Sequence, residues 1–161
     1  MTKRIASELN PNIGVLALGN LLRTDEGVGI HLLEGLREHL PLDVETLDGA
    51  TSGLELLDFI ERHNYLIVLD AVDAGQAPGQ IIQWTNDQVP RFTTKKLSLH
   101  QMGFAEVLFW GEFMGISPDE IIVVGIQPQS LDWGIELTET IQKSVPKAIE
   151  IVLNYIENWK L

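Results

Sequence analysis

The chain has 161 residues, of which 45% are hydrophobic, and carries a formal net charge of -12 with no cysteine. This charge argues against nucleic acids and anionic membrane surfaces as partners, because both would repel it. No run approaches the roughly 20 apolar residues that span a bilayer, and residues 1–12 lack the apolar core of a signal peptide, so we expect a cytoplasmic protein. Without cysteine, any metal must be held by His, Asp, Glu or backbone oxygen.

The first half of the chain alternates short apolar runs with helical patterns. A strand is predicted at residues 13–18, and Gly19 and Asn20 end it. Apolar residues at helical spacing follow it, namely Val28, Leu32, Leu33, Leu36 and Leu40. A second strand is predicted at 44–47. Ser52 and Glu55 form a capping-box pattern, which predicts a helix running toward residue 63.

The strands of the second half differ in character. Residues 65–69 are almost all apolar, as expected for a central parallel strand covered on both faces, and Asp70 follows directly. The next strand, at 81–84, comes too soon for a crossover helix, so we predict an antiparallel strand near the sheet edge. Residues 121–126 form the last predicted strand.

Two further helices are predicted around these strands. Ser98 and Gln101 form a second capping-box pattern, which predicts a helix through residue 113 with His100 in its first turn. Apolar spacing over 141–156 predicts a closing helix, in which Pro146 indicates a kink or a late start.

The alternation predicts an α/β protein, a three-layer α/β/α sandwich with a mostly parallel, twisted sheet of about five strands. We expect a single domain over residues 1–161, with 1–12 as a flexible N-terminal extension. If the strand order is flavodoxin-like, the first and third strands are neighbours at the switch point, where ligands bind beyond the carboxyl ends. Glu26 and Asp70 would both stand there.

Three residues are candidates for chemistry, and each also has a structural interpretation. Glu26 follows Asp25 at a helix start, where acids commonly complement the helix dipole. Asp70 ends a strand expected to be buried, where a carboxylate needs a metal, an ion pair or hydrogen bonds from the next loop. His100 lies at the positive end of a helix, which favours the neutral imidazole that binds metals, although a lone helical histidine is more often a surface or packing residue.

Two carboxylates and one imidazole suit zinc or nickel better than calcium. Covalent catalysis is less favoured, since the chain has neither a G-x-S-x-G elbow nor a cysteine. The glycines of residues 19–29 match neither dinucleotide-binding nor P-loop spacing, and the two acids would face the phosphates. We therefore favour metal-centred hydrolysis over nucleotide binding.

The chain resembles the maturation endopeptidases of nickel-iron hydrogenases from about residue 13 to its end. Five ordered blocks carry the resemblance, at residues 19–27 (Gly-Asn, then Thr-Asp-Glu-Gly), 47–53, 69–72, 98–101 and 125–128. Two departures are Ala17 and Ala50, which stand where the family often has glycine.

The resemblance implies that Glu26, Asp70 and His100, here called the candidate triad, are the catalytic and metal-reading residues. It implies a substrate too, the nickel-loaded precursor of a hydrogenase large subunit, whose C-terminal extension is cut off. Nickel would belong to the substrate, and another divalent metal would bind the same site in vitro. The segment around residue 48 would help to choose the cognate hydrogenase, and the expected recognition residues are Asp48, Gly49, Ala50, Thr51 and Gln101.

Two alternatives stay open from the sequence. The same residues would serve a non-catalytic, metal-dependent chaperone that recognises the precursor without cutting it. A flavodoxin-like nucleotide binder is the second alternative, although the acidic loop argues against it.

We expect a monomer that docks one protein partner, with Phe92 and Trp133 as candidate groove-lining aromatics.

Overall fold

The structure, a computed structural model, describes residues 11–49, 53–90 and 99–161, apart from the side chains of residues 99–102. Within these ranges the strands are β1 (Ile13–Ala17), β2 (Glu45–Asp48), β3 (Tyr65–Ala71), β4 (Ile81–Thr85) and β5 (Glu120–Ile126). The helices are α1 (Val28–Leu36), α2 (Gly53–Arg62), α3 (Leu99–Phe113) and α4 (Glu139–Lys160), with two short 3-10 helices, η1 (Thr24–Gly27) and η2 (Asn86–Gln88). None of the helices in the described part is long and apolar enough to cross a membrane.

The strands form one sheet in the order β2-β1-β3-β5-β4. β1 pairs in parallel with β2 and β3, and β3 pairs in parallel with β5, whereas β4 is antiparallel to β5 at the edge. This confirms the mostly parallel sheet, the antiparallel edge strand and the adjacent first and third strands. Because the winding reverses between β1 and β3, the loops after these strands part and leave a crevice at the carboxyl ends.

Helices cover both faces of the sheet, which confirms the three-layer sandwich. The side chains of β1 alternate between the two faces, as the twofold period of a strand requires. Ile13, Val15 and Ala17 pack with the buried side of α1 and α4, whereas Leu16 packs with the buried side of α2 and α3. α2 and α3 are described from Gly53 and Leu99, and the predicted caps Ser52 and Ser98 lie outside the described residues, so both capping boxes stay predictions.

Of the two effects predicted for Pro146, a kink or a late start of the closing helix, the late start is wrong. α4 begins at Glu139 and contains Pro146 in its interior. Ile141 before the proline and Ala148 after it are both fully buried, so the apolar face continues through this position. Packing of that face offsets the roughly 3 kcal/mol that an interior proline costs a helix.

The C-terminal end of α4 is anchored by polar contacts to the first residue of β5 and to a residue shortly before β2. The indole Nε1 of Trp159 donates to Glu120 Oε2 at 2.8 Å, and the ammonium of Lys160 lies 2.7 Å from each carboxylate oxygen of Asp43. The hydrogen bond from Lys160 lowers the pKa of Asp43 below its ordinary value. These contacts hold the closing helix against the strands.

Gly29, at the start of α1, allows that helix to approach the carboxyl ends of β1 and β3. A Cβ on Gly29 would lie 2.3 Å from the carbonyl oxygen of Leu18 and 2.4 Å from that of Leu69. We expect Gly29→Ala to lower the free energy of unfolding by about 1–3 kcal/mol, because backbone atoms of two paired strands cannot move aside. Urea unfolding followed by circular dichroism would measure this.

Gly35→Ala, in the same helix, is the matched control. A Cβ there would lie 2.8 Å from the Cδ1 atom of Ile149, which is the end of a flexible side chain and can rotate away. A loss of equal size in both variants would contradict the proposed close approach at Gly29.

Candidate active site

Glu26 lies in η1, which joins the loop after β1 to the start of α1. Gly19 turns the chain there with a φ of 138°, and a Cβ on it would lie 2.3 Å from the Glu26 carbonyl oxygen. The amide of Asn20 donates to that same oxygen at 3.2 Å and closes the loop. The residue is partly exposed, and η1 packs against β3, which places Glu26 at the carboxyl end of the sheet.

Asp70 lies near the end of β3, opposite Gly125 of β5, and is fully buried. The amide of Ala71 donates to Asp70 Oδ1 at 2.8 Å. Asp70 forms part of the wall of a pocket whose other described lining residues are all apolar, namely Leu18, Val68, Trp84, Val89, Pro90, Phe104, Ala105 and Val123. A carboxylate in such surroundings is costly to bury, and a cation or strong donors must compensate it.

His100 lies in the first turn of α3, as predicted, but its side chain is outside the described part of the chain. Phe104 and Ala105, which follow on the same helix, line the pocket that contains Asp70. Position 100 is therefore one helical turn before a pocket-lining residue. Its role as a ligand stays a prediction.

The predicted recognition residues lie mostly at or beyond the end of β2. Asp48 is the last residue of that strand and is paired with Ala17 of β1. The amide of Gly49 donates to the Ala17 carbonyl oxygen at 2.6 Å, and a Cβ on Gly49 would lie 2.7 Å from that oxygen. Position 49 therefore requires glycine, because a side chain there would collide with the backbone of β1. Ala50 and Thr51, with the side chain of Gln101, lie outside the described residues, and recognition stays a prediction for all five.

Asp25, the neighbour of Glu26, has a role that the sequence did not reveal. Its carboxylate is fully buried and accepts hydrogen bonds from the amides of Gln129 and Ser130, both at 2.9 Å, and from the amide of Thr138 at 2.8 Å. The Thr138 hydroxyl donates to the same carboxylate, at 2.9 Å to Oδ2. Asp25 therefore ties the turn that carries Glu26 to the loop between β5 and α4.

Gln127, within the last block of the resemblance, also acts on the loops around the crevice. Its buried side-chain oxygen accepts the amides of Ala74 at 2.8 Å and Gln76 at 3.2 Å, and its nitrogen donates to Asp73 Oδ1 at 3.1 Å. The loop that follows Asp70 is thus held from the end of β5. Gln127 supports the crevice and is an example of a motif residue with a structural role.

The chemistry of the donors at this crevice fits a divalent cation. Carboxylates on η1 and β3 are brought to the same end of the sheet, and carboxylate and imidazole donors suit zinc or nickel. Among the residues that the structure describes, no group of three or more His, Asp or Glu side chains is close enough to hold a metal ion. The side chain of His100, the third member of the candidate triad, lies outside the described part of the chain.

Together, the fold and the crevice define a doubly wound α/β protein with carboxylates beside the crevice at its switch point. A family profile described as hydrogenase maturation protease matches residues 30–155. The hydrogenase expression/formation protein HupD of Rhizobium leguminosarum bv. viciae is 43% identical over 153 residues, which cover 92% of this chain and 76% of the relative. The chain belongs to the hydrogenase maturation protease family.

A protein sequence and a solved structure, both from Escherichia coli, show the same likeness. The hydrogenase 2 maturation protease of strain K12 is 41% identical over 142 residues, which cover 86% of this chain and 87% of the relative. The solved structure of the hydrogenase maturating endopeptidase HybD superposes with a TM-score of 0.85 at 39% identity, covering 91% of this chain and 93% of that one. These similarities confirm the predicted family, the α/β fold, the peptidase class and the function of processing a hydrogenase precursor.

Proposed function

We propose that the protein reads the nickel of a loaded hydrogenase large-subunit precursor through Glu26, Asp70 and His100, and then removes the precursor's C-terminal extension. The observation that carries this proposal is Asp70, a fully buried carboxylate in a pocket at the switch point whose other described lining residues are apolar. η1 brings Glu26 to the same end of the sheet, and the first turn of α3 brings position 100.

In this proposal the metal is part of the substrate. Two carboxylates offset the charge of a divalent ion, and protein ligands from the precursor complete its coordination. The bound ion then either polarises the scissile carbonyl or activates a water molecule, and both routes lower the barrier without a covalent enzyme intermediate. Cleavage is thereby restricted to precursor that already contains its metal.

The decisive experiment compares nickel-loaded and nickel-free precursor with the same purified enzyme. We expect the loaded precursor to lose a short C-terminal segment and the nickel-free precursor to keep it, because only the loaded form supplies the ion. Intact-mass spectrometry before and after incubation measures this directly. Nickel analysis of the free enzyme is the control, and no tightly bound nickel is expected.

Two outcomes would contradict the proposal in different ways. Equal trimming of both precursors would show that the substrate's metal is not read. A precursor that binds the enzyme but keeps its full mass would indicate a non-catalytic binding module instead. The cytoplasmic location expected from the sequence stays part of the proposal.

A further inference from the structure

Five exposed apolar side chains lie on two loops beside the crevice. They are Leu21, Leu22, Leu131, Trp133 and Ile135, here called the loop patch. Trp133 is 77% exposed, Ile135 71% and Leu22 57%, so the patch contributes little to the core. Contiguous exposed apolar surface of this kind marks interaction sites more often than isolated exposed residues do. Trp133, predicted to line a binding groove, is accessible to a partner because of this exposure. Phe92, the other aromatic residue predicted for that role, lies outside the described residues.

The two loops that carry the loop patch are joined by backbone hydrogen bonds. The amide of Gly134 donates to the Leu22 carbonyl oxygen, and the amide of Thr24 donates to the Gly134 carbonyl oxygen, both at 2.9 Å. The guanidinium of Arg23 donates to the Leu131 carbonyl oxygen at 2.7 Å and lies 4.9 Å from the centre of the Trp133 ring. The patch is therefore preformed.

These polar contacts explain how the loops are ordered without burying their large apolar side chains. Asp25 anchors the second loop from inside, through the amides of Gln129 and Ser130, so the fold does not need Trp133 or Leu22 for this purpose. A preformed apolar surface binds a partner at a lower entropic cost than a surface that must first become ordered.

The loop patch is continuous with the proposed active site. Arg23 alone separates Leu22 from the start of η1 along the chain, and Glu26 is the third residue of η1. A Cβ on Gly27 would lie 3.0 Å from the Cα of Leu21, so this part of the patch packs directly against the turn that carries Glu26. A protein substrate that reaches Glu26 therefore comes close to this part of the surface.

We infer that the loop patch is the docking surface for the precursor, and that it binds an apolar segment of the precursor next to the metal-bearing site. This inference rests on the proposed function. In the proposed function the carboxylates of the crevice recognise an ion, and a protein substrate also needs apolar contact area outside the narrow pocket beside Asp70. The loop patch supplies that contact, with the Arg23 cation over Trp133 leaving a polar margin.

The test measures the steady-state cleavage of nickel-loaded precursor by two single variants, Leu22→Ser and Trp133→Ala. We expect KM to rise about tenfold in each variant with kcat within about twofold of the wild type, because truncating a central interface residue costs binding energy and leaves the reacting groups in place. Phe113→Ser is the matched control. Phe113 is 78% exposed at the far end of α3, and KM should not change there.

The outcomes separate this inference from the proposed function. If the wild type does not trim the loaded precursor, the proposed function fails. If the wild type trims it and both patch variants keep the wild-type KM, only the docking inference is overturned. Sedimentation velocity of the wild type and Trp133→Ala provides a further check, because a dimer that this substitution dissociates would show that a second copy covers the patch.

Discussion

Asp70→Asn is expected to lower kcat/KM for nickel-loaded precursor by at least about 100-fold while the protein stays folded. Even residues that only orient metal ligands cost 10–100-fold when changed, so a residue that contacts the ion directly should cost no less. Asparagine keeps an oxygen for the Ala71 amide and removes a buried charge, so the melting temperature should stay within about 4 °C of the wild type. Trimming is followed by intact mass and folding by thermal unfolding.

Asp119→Asn is the control for charge alone. Asp119 is exposed before β5, at the opposite end of the sheet, where its carboxylate accepts a hydrogen bond from Asn64 at 3.3 Å.

Glu26→Gln and His100→Ala should reproduce the loss seen in Asp70→Asn if all three bind the ion. Full trimming by Asp70→Asn would remove that residue from the site, and unimpaired trimming by His100→Ala would do the same for the histidine.

Asp25→Ala should instead destabilise the protein by roughly 3–5 kcal/mol, because it leaves three backbone amides and a hydroxyl without their charged acceptor. For a chain of this length, that corresponds to a fall in melting temperature of about 6–20 °C. Urea unfolding with a linear extrapolation measures the free energy, and differential scanning calorimetry measures the melting temperature.

Two further variants test whether loss of the hydrogen bonds to the Asp25 carboxylate is the cause. Thr138→Val removes the hydroxyl but keeps the amide, so its loss should be about 1 kcal/mol. Glu26→Ala changes the adjacent, partly exposed acid and should leave stability within about 1 kcal/mol. Equal destabilisation by the Asp25 and Glu26 variants would contradict the different roles assigned to these two acids.

The order of the elements, the fold class and the position of Asp70 were all predictable from the sequence. Apolar spacing is a local property, and the continuous run before Asp70 already indicates a strand that is covered on both faces. The short interval before β4 likewise predicted an antiparallel edge strand, because a parallel crossover needs more residues than are present.

Only the tertiary structure separated Asp25 from Glu26. Both acids stand at the start of the same helix in the sequence, but Thr138, which binds Asp25, is 113 residues away along the chain. The loop patch likewise depends on the tertiary structure, because backbone hydrogen bonds bring together two loops that are distant along the chain, one with Leu22 and the other with Trp133. Periodicity therefore determined which segments are buried, whereas the partner of each buried polar group depended on which loops the sheet brings together.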